Sequence, residues 1–182
     1  MAMEIHPLII AAASCFMLTA AVSDIRHRRI SNRLNVVAAI SALGLQAILA
    51  GTGGVLDGLQ GLVAGLAVLF IPFAMGMIGG GDVKFVAAVG AFFGAHVTMI
   101  GLFFGVTLGG LVGAVSLLRK GRLASGMRSV AADLACLAGG VRPTTLKDSD
   151  TVETVPYGVL LALGMAGSVV VAVMEEVPWV SQ

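Results

Sequence analysis

The sequence predicts an all-α, polytopic membrane protein, and three observations predict that class. Of 182 residues, 58% are hydrophobic and only 12% charged, against about 45–50% and about 25% in soluble domains. The mean hydropathy is +1.00. Glycine is abundant, at 25 residues, whereas Trp and Tyr occur once each; this fits closely packed membrane helices rather than a barrel with aromatic girdles. The composition excludes a soluble enzyme with an ordinary core, a disordered chain and a nucleic-acid-binding protein. Two cysteines, Cys15 and Cys136, exclude a disulfide framework and a four-cysteine zinc site, and both read as small buried hydrophobes.

A spanning helix needs roughly 17–25 apolar residues to cross a hydrocarbon core about 30 Å thick. The first such run is Ile5 to Ser23, with no Lys or Arg before it. It lacks the basic opening of a secretory signal and reads as a retained helix. The second, Leu34 to Ala50, is closed by the turn Gly51-Thr52-Gly53-Gly54, and the third runs from Leu59 to Ile78 with Pro72 inside it. Phe85 to Leu118 is too long for one crossing: 34 residues would reach about 51 Å as a single helix. The run is expected to fold back near Gly94-Ala95-His96, giving a short fourth helix from Phe85 to about Phe93 and a fifth from about Val97 to Leu118. Tyr157 to Met174 supplies a sixth, after Pro156.

Charge supports this count. With six spans, all 11 Lys and Arg fall in alternate connections on one side of the membrane, while Glu4, Asp57, Glu175 and Glu176 occupy the other. The positive-inside rule makes the basic side cytoplasmic and puts both termini on the non-cytoplasmic side. The long connection 119–155 belongs to the same single domain, 1–182. Leu123, Met127, Val130, Leu134 and Leu137 recur in it at spacings of 4, 3, 4 and 3, one face of an amphipathic helix. Asp148, Asp150 and Glu153 form an acidic cluster beyond it.

Two carboxylates carry the chemistry. Asp24 closes the first helix, in Val22-Ser23-Asp24-Ile25-Arg26-His27-Arg28-Arg29-Ile30-Ser31-Asn32, and Asp82 opens the fourth, in Gly79-Gly80-Gly81-Asp82-Val83-Lys84. The topology puts both at the cytoplasmic boundary, where they meet if the first and fourth helices pack together. One reading is structural, with Asp24 an interfacial charge among arginines and Asp82 a helix cap. The other is catalytic. Gly79, Gly80 and Gly81 carry no side chains, so a peptide backbone can approach Asp82 closely. Two Asp held together do not ionise together, so one keeps a proton while the other activates water. That is aspartic-protease chemistry, and it calls for no metal, no cofactor and no nucleophilic Ser or Cys.

Gly79-Gly80-Gly81-Asp82 matches the GxGD motif of membrane aspartic proteases, and with Val83-Lys84 it resembles the GxGDxK form of the type IV prepilin peptidase family. Asp24 with Ile30 and Asn32 is similar to that family's second motif, in which a helix-terminal Asp precedes a basic stretch and Ile-Pro-Asn; Ser31 stands at the proline position. Val155-Pro156-Tyr157-Gly158 resembles the segment opening the last helix of the short members. The resemblance implies an endopeptidase that removes the basic leader of prepilin-like precursors, typically after a Gly, at the cytoplasmic membrane face. It implies Asp24 and Asp82 as the catalytic pair, Gly79 and Gly81 as the residues shaping the loop, and supporting roles for Lys84 and Asn32. Lys84 reads equally as an ordinary cytoplasmic anchor. Larger members add a domain with paired Cys-x-x-Cys motifs and methylate the product. This chain has no such motif and resembles the short, peptidase-only form of tight-adherence (Flp-type) pilus systems. The alternatives are a small ion- or proton-coupled transporter subunit, which would place a charge near the bilayer midplane, and a non-catalytic membrane scaffold for pilus assembly.

Overall fold

The computed structural model describes residues 6–27, 30–74, 78–119, 121, 128 and 157–175. These residues form helices and their connections: α1 (Pro7–His27), α2 (Asn32–Ala74), α3 (Gly80–Arg119) and α4 (Tyr157–Glu175). The amphipathic stripe from Leu123 to Leu137, the acidic cluster at Asp148, Asp150 and Glu153, and Cys136 lie outside the described residues.

Both long helices are broken once, each at a glycine. Gly51 divides α2 with φ 65° and ψ −148°, and Gly94 divides α3 with φ 76° and ψ 178°. This backbone region is closed to residues with a Cβ. The expected turn of four residues at 51–54 is thus reduced to Gly51, and the expected bend at 94–96 is centred on Gly94. The limbs of α2 lie beside one another: a Cβ on Gly58 would stand 3.1 Å from Leu43 Cδ2. Among the described residues, α1, α2 and α3 are long and apolar enough to cross a membrane, and 158–174 is a shorter apolar helix.

The first limb of α3 is the centre of the bundle. Every residue from 85 to 94 is buried, so this limb is covered all round rather than on one stripe. On one side Phe16 of α1 packs against it, with ring centroids 5.4 Å from Phe85 and 6.3 Å from Phe92. On another, Gly61 and Gly90 bring the backbones of α2 and α3 into direct contact, and a Cβ on Gly65 would stand 3.1 Å from Ala87 Cα. Small residues permit this closeness, and dispersion between the backbones rewards it. The second limb of α3 meets α4 in the same manner through Gly101, Gly105 and Gly164.

Breaking a helix frees carbonyls that need donors. Gln46, only 1% exposed, supplies one: its Nε2 donates to Phe92 O at 2.7 Å, beside the Gly94 break. Thr98 Oγ1 donates to Gly94 O at 2.6 Å. Gln46→Leu leaves the Phe92 carbonyl without its side-chain donor and is expected to lower the unfolding free energy by about 1–3 kcal/mol. Denaturant unfolding in detergent measures this; an unchanged midpoint would show that the bond contributes nothing.

Outward faces are as apolar as the inner ones, with Leu18, Ile40, Ile48 and Phe103 all exposed. Two expectations need correction. Cys15, expected to be buried, is exposed on α1; in a helix that is apolar all round, composition does not reveal the inner face. Asp24 does not end its helix, because α1 runs on through Arg26 and His27, whose positive charge suits a helix C-terminus.

Candidate active site

Four helix ends meet at one end of the bundle: the C-terminus of α1 and the N-termini of α2, α3 and α4. From α1 comes Asp24, buried at 6% exposure, with Oδ2 lacking a hydrogen-bond partner among the described residues. From α3 comes Asp82, in its first turn and half-buried. The Asp82 carboxylate feels the charge of Asp24, so the sequence-predicted pair is brought near one another by packing of α1 against the short limb of α3.

The glycine turn sets Asp82. Gly79 O accepts the backbone N–H of Asp82 at 3.1 Å and of Val83 at 3.3 Å, which makes Gly79 the N-cap of α3. The Gly79 N–H in turn hydrogen-bonds the Asp82 carboxylate. The bond from the Gly79 N–H to the acidic side chain at the third helical position is one half of a capping box; for the other half Gly79 accepts the Asp82 N–H through its carbonyl, having no side chain. The structural reading of Asp82 as a cap is therefore partly met, one turn further along than the N-cap itself, and the same bond fixes the carboxylate's direction.

Residues 30–35 form the adjoining wall. Ser31 O accepts the Asn35 N–H at 3.2 Å, so Ser31 takes the N-cap of α2, a position where Ser is favoured. Ile30 is buried and lies against the turn: a Cβ on Gly81 would stand 3.3 Å from Ile30 O. Lys84 Nζ donates to Asn32 Oδ1 at 3.0 Å on the exposed side. These two supporting candidates thus touch each other and tie α3 to α2. Gly80 faces a side chain instead, with Phe73 Cε2 3.1 Å from its would-be Cβ.

Two residues beyond the predicted set belong to this cluster. Gly158, in the first turn of α4, lies against Asp24: a Cβ there would stand 2.7 Å from Oδ2 and 3.0 Å from Cγ. Asn35 is 3% exposed and donates from Nδ2 to Gly81 O at 3.1 Å, while its Oδ1 has no hydrogen-bond partner among the described residues. A polar residue one turn after Asn32, at the head of the apolar run, was the signal available in the sequence for Asn35.

The family model for type IV leader peptidases matches residues 11–114, a stretch that holds Asp24, Asn32, Asn35, the glycine turn, Asp82 and Lys84. The prepilin leader peptidase/N-methyltransferase of Bacillus subtilis (strain 168) is 31% identical over 124 residues, which is 67% of this chain and 48% of that protein. The chain thus spans about half the length of this curated relative. No solved structure gives a significant match. With more than half of its length matched and both Asp motifs inside the matched region, the chain belongs to the type IV leader peptidase family.

Proposed function

We propose that this protein is a multi-pass aspartic endopeptidase of the inner (cytoplasmic) membrane that removes the short basic leader from type IV prepilin-like precursors. The observation that carries this reading is the meeting of Asp24 and Asp82 at one end of the bundle, beside a turn without side chains. One carboxylate holds a proton and the other takes a proton from water. The water oxygen attacks the scissile carbonyl, and the departing amine receives a proton as the C–N bond breaks. Gly79, Gly80 and Gly81 leave room for an extended substrate backbone next to Asp82. Lys84 and Asn32 hold the mouth of the site through their mutual hydrogen bond.

In this reading the chain reverses at Gly51 and at Gly94 and crosses the bilayer six times. The basic residues, Arg26, Arg33 and Lys84 among them, then lie on the cytoplasmic side with the two Asp, and both termini lie opposite. The connection 119–155 is cytoplasmic and part of the same domain. A precursor presents its leader on that side and its apolar helix to the lipid, so the scissile bond arrives at the depth of the Asp pair.

The test is direct. Purified protein and a membrane-embedded prepilin, combined in one vesicle or detergent preparation, should yield the shortened pilin and the free leader. An intact precursor after long incubation would overturn the reading. Chelators should leave the rate unchanged; inhibition by EDTA that zinc restores would overturn the metal-free mechanism. Within the turn, Gly81→Val should reduce the rate far more than Gly80→Ala. The first presses a branched side chain onto the Ile30 backbone, whereas the second meets only the movable Phe73 ring. Equal, near-normal rates would make the glycines incidental.

A further inference from the structure

We propose that Asn35 is a positioning residue for Asp82, acting through the peptide that joins Gly81 to Asp82. The role rests on the peptidase reading above and extends it to a residue outside the two Asp motifs. Asn35 Nδ2 donates to Gly81 O at 3.1 Å across 46 positions of sequence. That carbonyl belongs to the peptide whose nitrogen is the backbone N of Asp82. Gly79 O holds the same peptide from its other side by accepting the Asp82 N–H. One peptide plane, immediately before the carboxylate-bearing residue, is thus gripped by α2 at its oxygen and by the turn at its nitrogen.

The grip is needed because the turn is made of glycine. Gly79, Gly80 and Gly81 offer no side chains to pack, so hydrogen bonds to the turn's backbone do much to limit rotation at the head of α3. Asn35 itself sits firmly, since its N–H bonds Ser31 O in the first turn of α2 and its side chain is buried. Folding stability does not account for the choice of residue. Asn35 Oδ1 is buried with no partner among the described residues, and a leucine of similar size would remove that acceptor, offsetting the loss of the side-chain donor to Gly81 O.

Asn35→Leu separates the two roles. Thermal unfolding in detergent should change little, because the lost donor to Gly81 O and the removed unmet acceptor act in opposite directions. At saturating prepilin, kcat should fall by about 10- to 100-fold, the loss produced by displacing a catalytic group on the order of 1 Å, while KM stays within about twofold. A kcat within about threefold of wild type, or a loss confined to KM, would overturn the proposal. A preparation that loses its cooperative unfolding transition would mark Asn35 as structural in that context. Asn35→Ala, which removes the donor without adding a larger apolar side chain, would then decide: a folded Ala variant with normal kcat overturns the role, and one with reduced kcat and unchanged KM upholds it. Wild type and Asp24→Asn run alongside. A wild type inert on prepilin would remove the peptidase reading and this role with it. A wild type that cleaves, beside an Asn35→Leu variant of equal kcat, would remove this role alone.

Discussion

Asp24→Asn and Asp82→Asn are each expected to abolish leader cleavage, a loss on the order of 10³-fold or more, while the protein still inserts and accumulates. The amide matches the carboxylate in size, so packing around Asp24 and the Gly79 turn should survive. What is lost is the ability to share one proton between two oxygens and to draw another from water. In the proposed mechanism the pair acts as a unit, so the double variant should be no slower than the poorer single variant. Product formation from a membrane-embedded prepilin, with protein level followed in parallel, measures both effects. A decrease of only a few-fold in either variant would refute a mechanism that needs both carboxylates.

The second large effect is expected at Gly158, far from both Asp motifs in sequence. A Cβ at this position would lie 2.7 Å from Asp24 Oδ2, 3.0 Å from its Cγ and 3.1 Å from Ile30 Cδ1. Asp24 is buried, so the carboxylate has little room to yield without turning away from Asp82. Gly158→Val should therefore lower the cleavage rate by about 100-fold through misplacement of Asp24, and Gly158→Ala by a smaller factor. Gly167 supplies the control within the same helix, since a Cβ there meets nothing within 4 Å; Gly167→Ala should cleave normally. If Gly158→Val cleaved as fast as Gly167→Ala, α4 would have no part in shaping the site.

Both effects follow from how helix ends are gathered. The short limb of α3 is buried on every side, and its position is set by α1 and α2 at once. Asp82 is thereby placed against Asp24 by the same packing that forms the core. Rigid elements carrying a site hold its geometry better than loops do. The all-glycine turn is braced by the hydrogen bonds of Gly79 and Asn35.

The sequence alone determined the helical class, because so few charges leave almost no material for a water-exposed surface. It placed breaks within 51–54 and near 94–96, the second because an apolar run longer than the bilayer is thick must be interrupted; the structure narrowed each to one glycine, Gly51 and Gly94. It also singled out Asp24, Asp82 and the glycine turn as candidates, through two motifs that resemble those of the prepilin peptidase family, since pattern alone left the structural reading open. Which face of each helix points inward was not legible. Lipid and protein interior are equally apolar, so the periodic pattern that marks the buried face of a soluble helix is absent; Cys15 accordingly reads as buried and lies exposed. Tertiary structure alone decided that Asn35 reaches Gly81 and that Gly158 lies against Asp24. These contacts join helix ends distant in sequence, and they depend on close backbone packing among small residues, which composition records only as an excess of glycine.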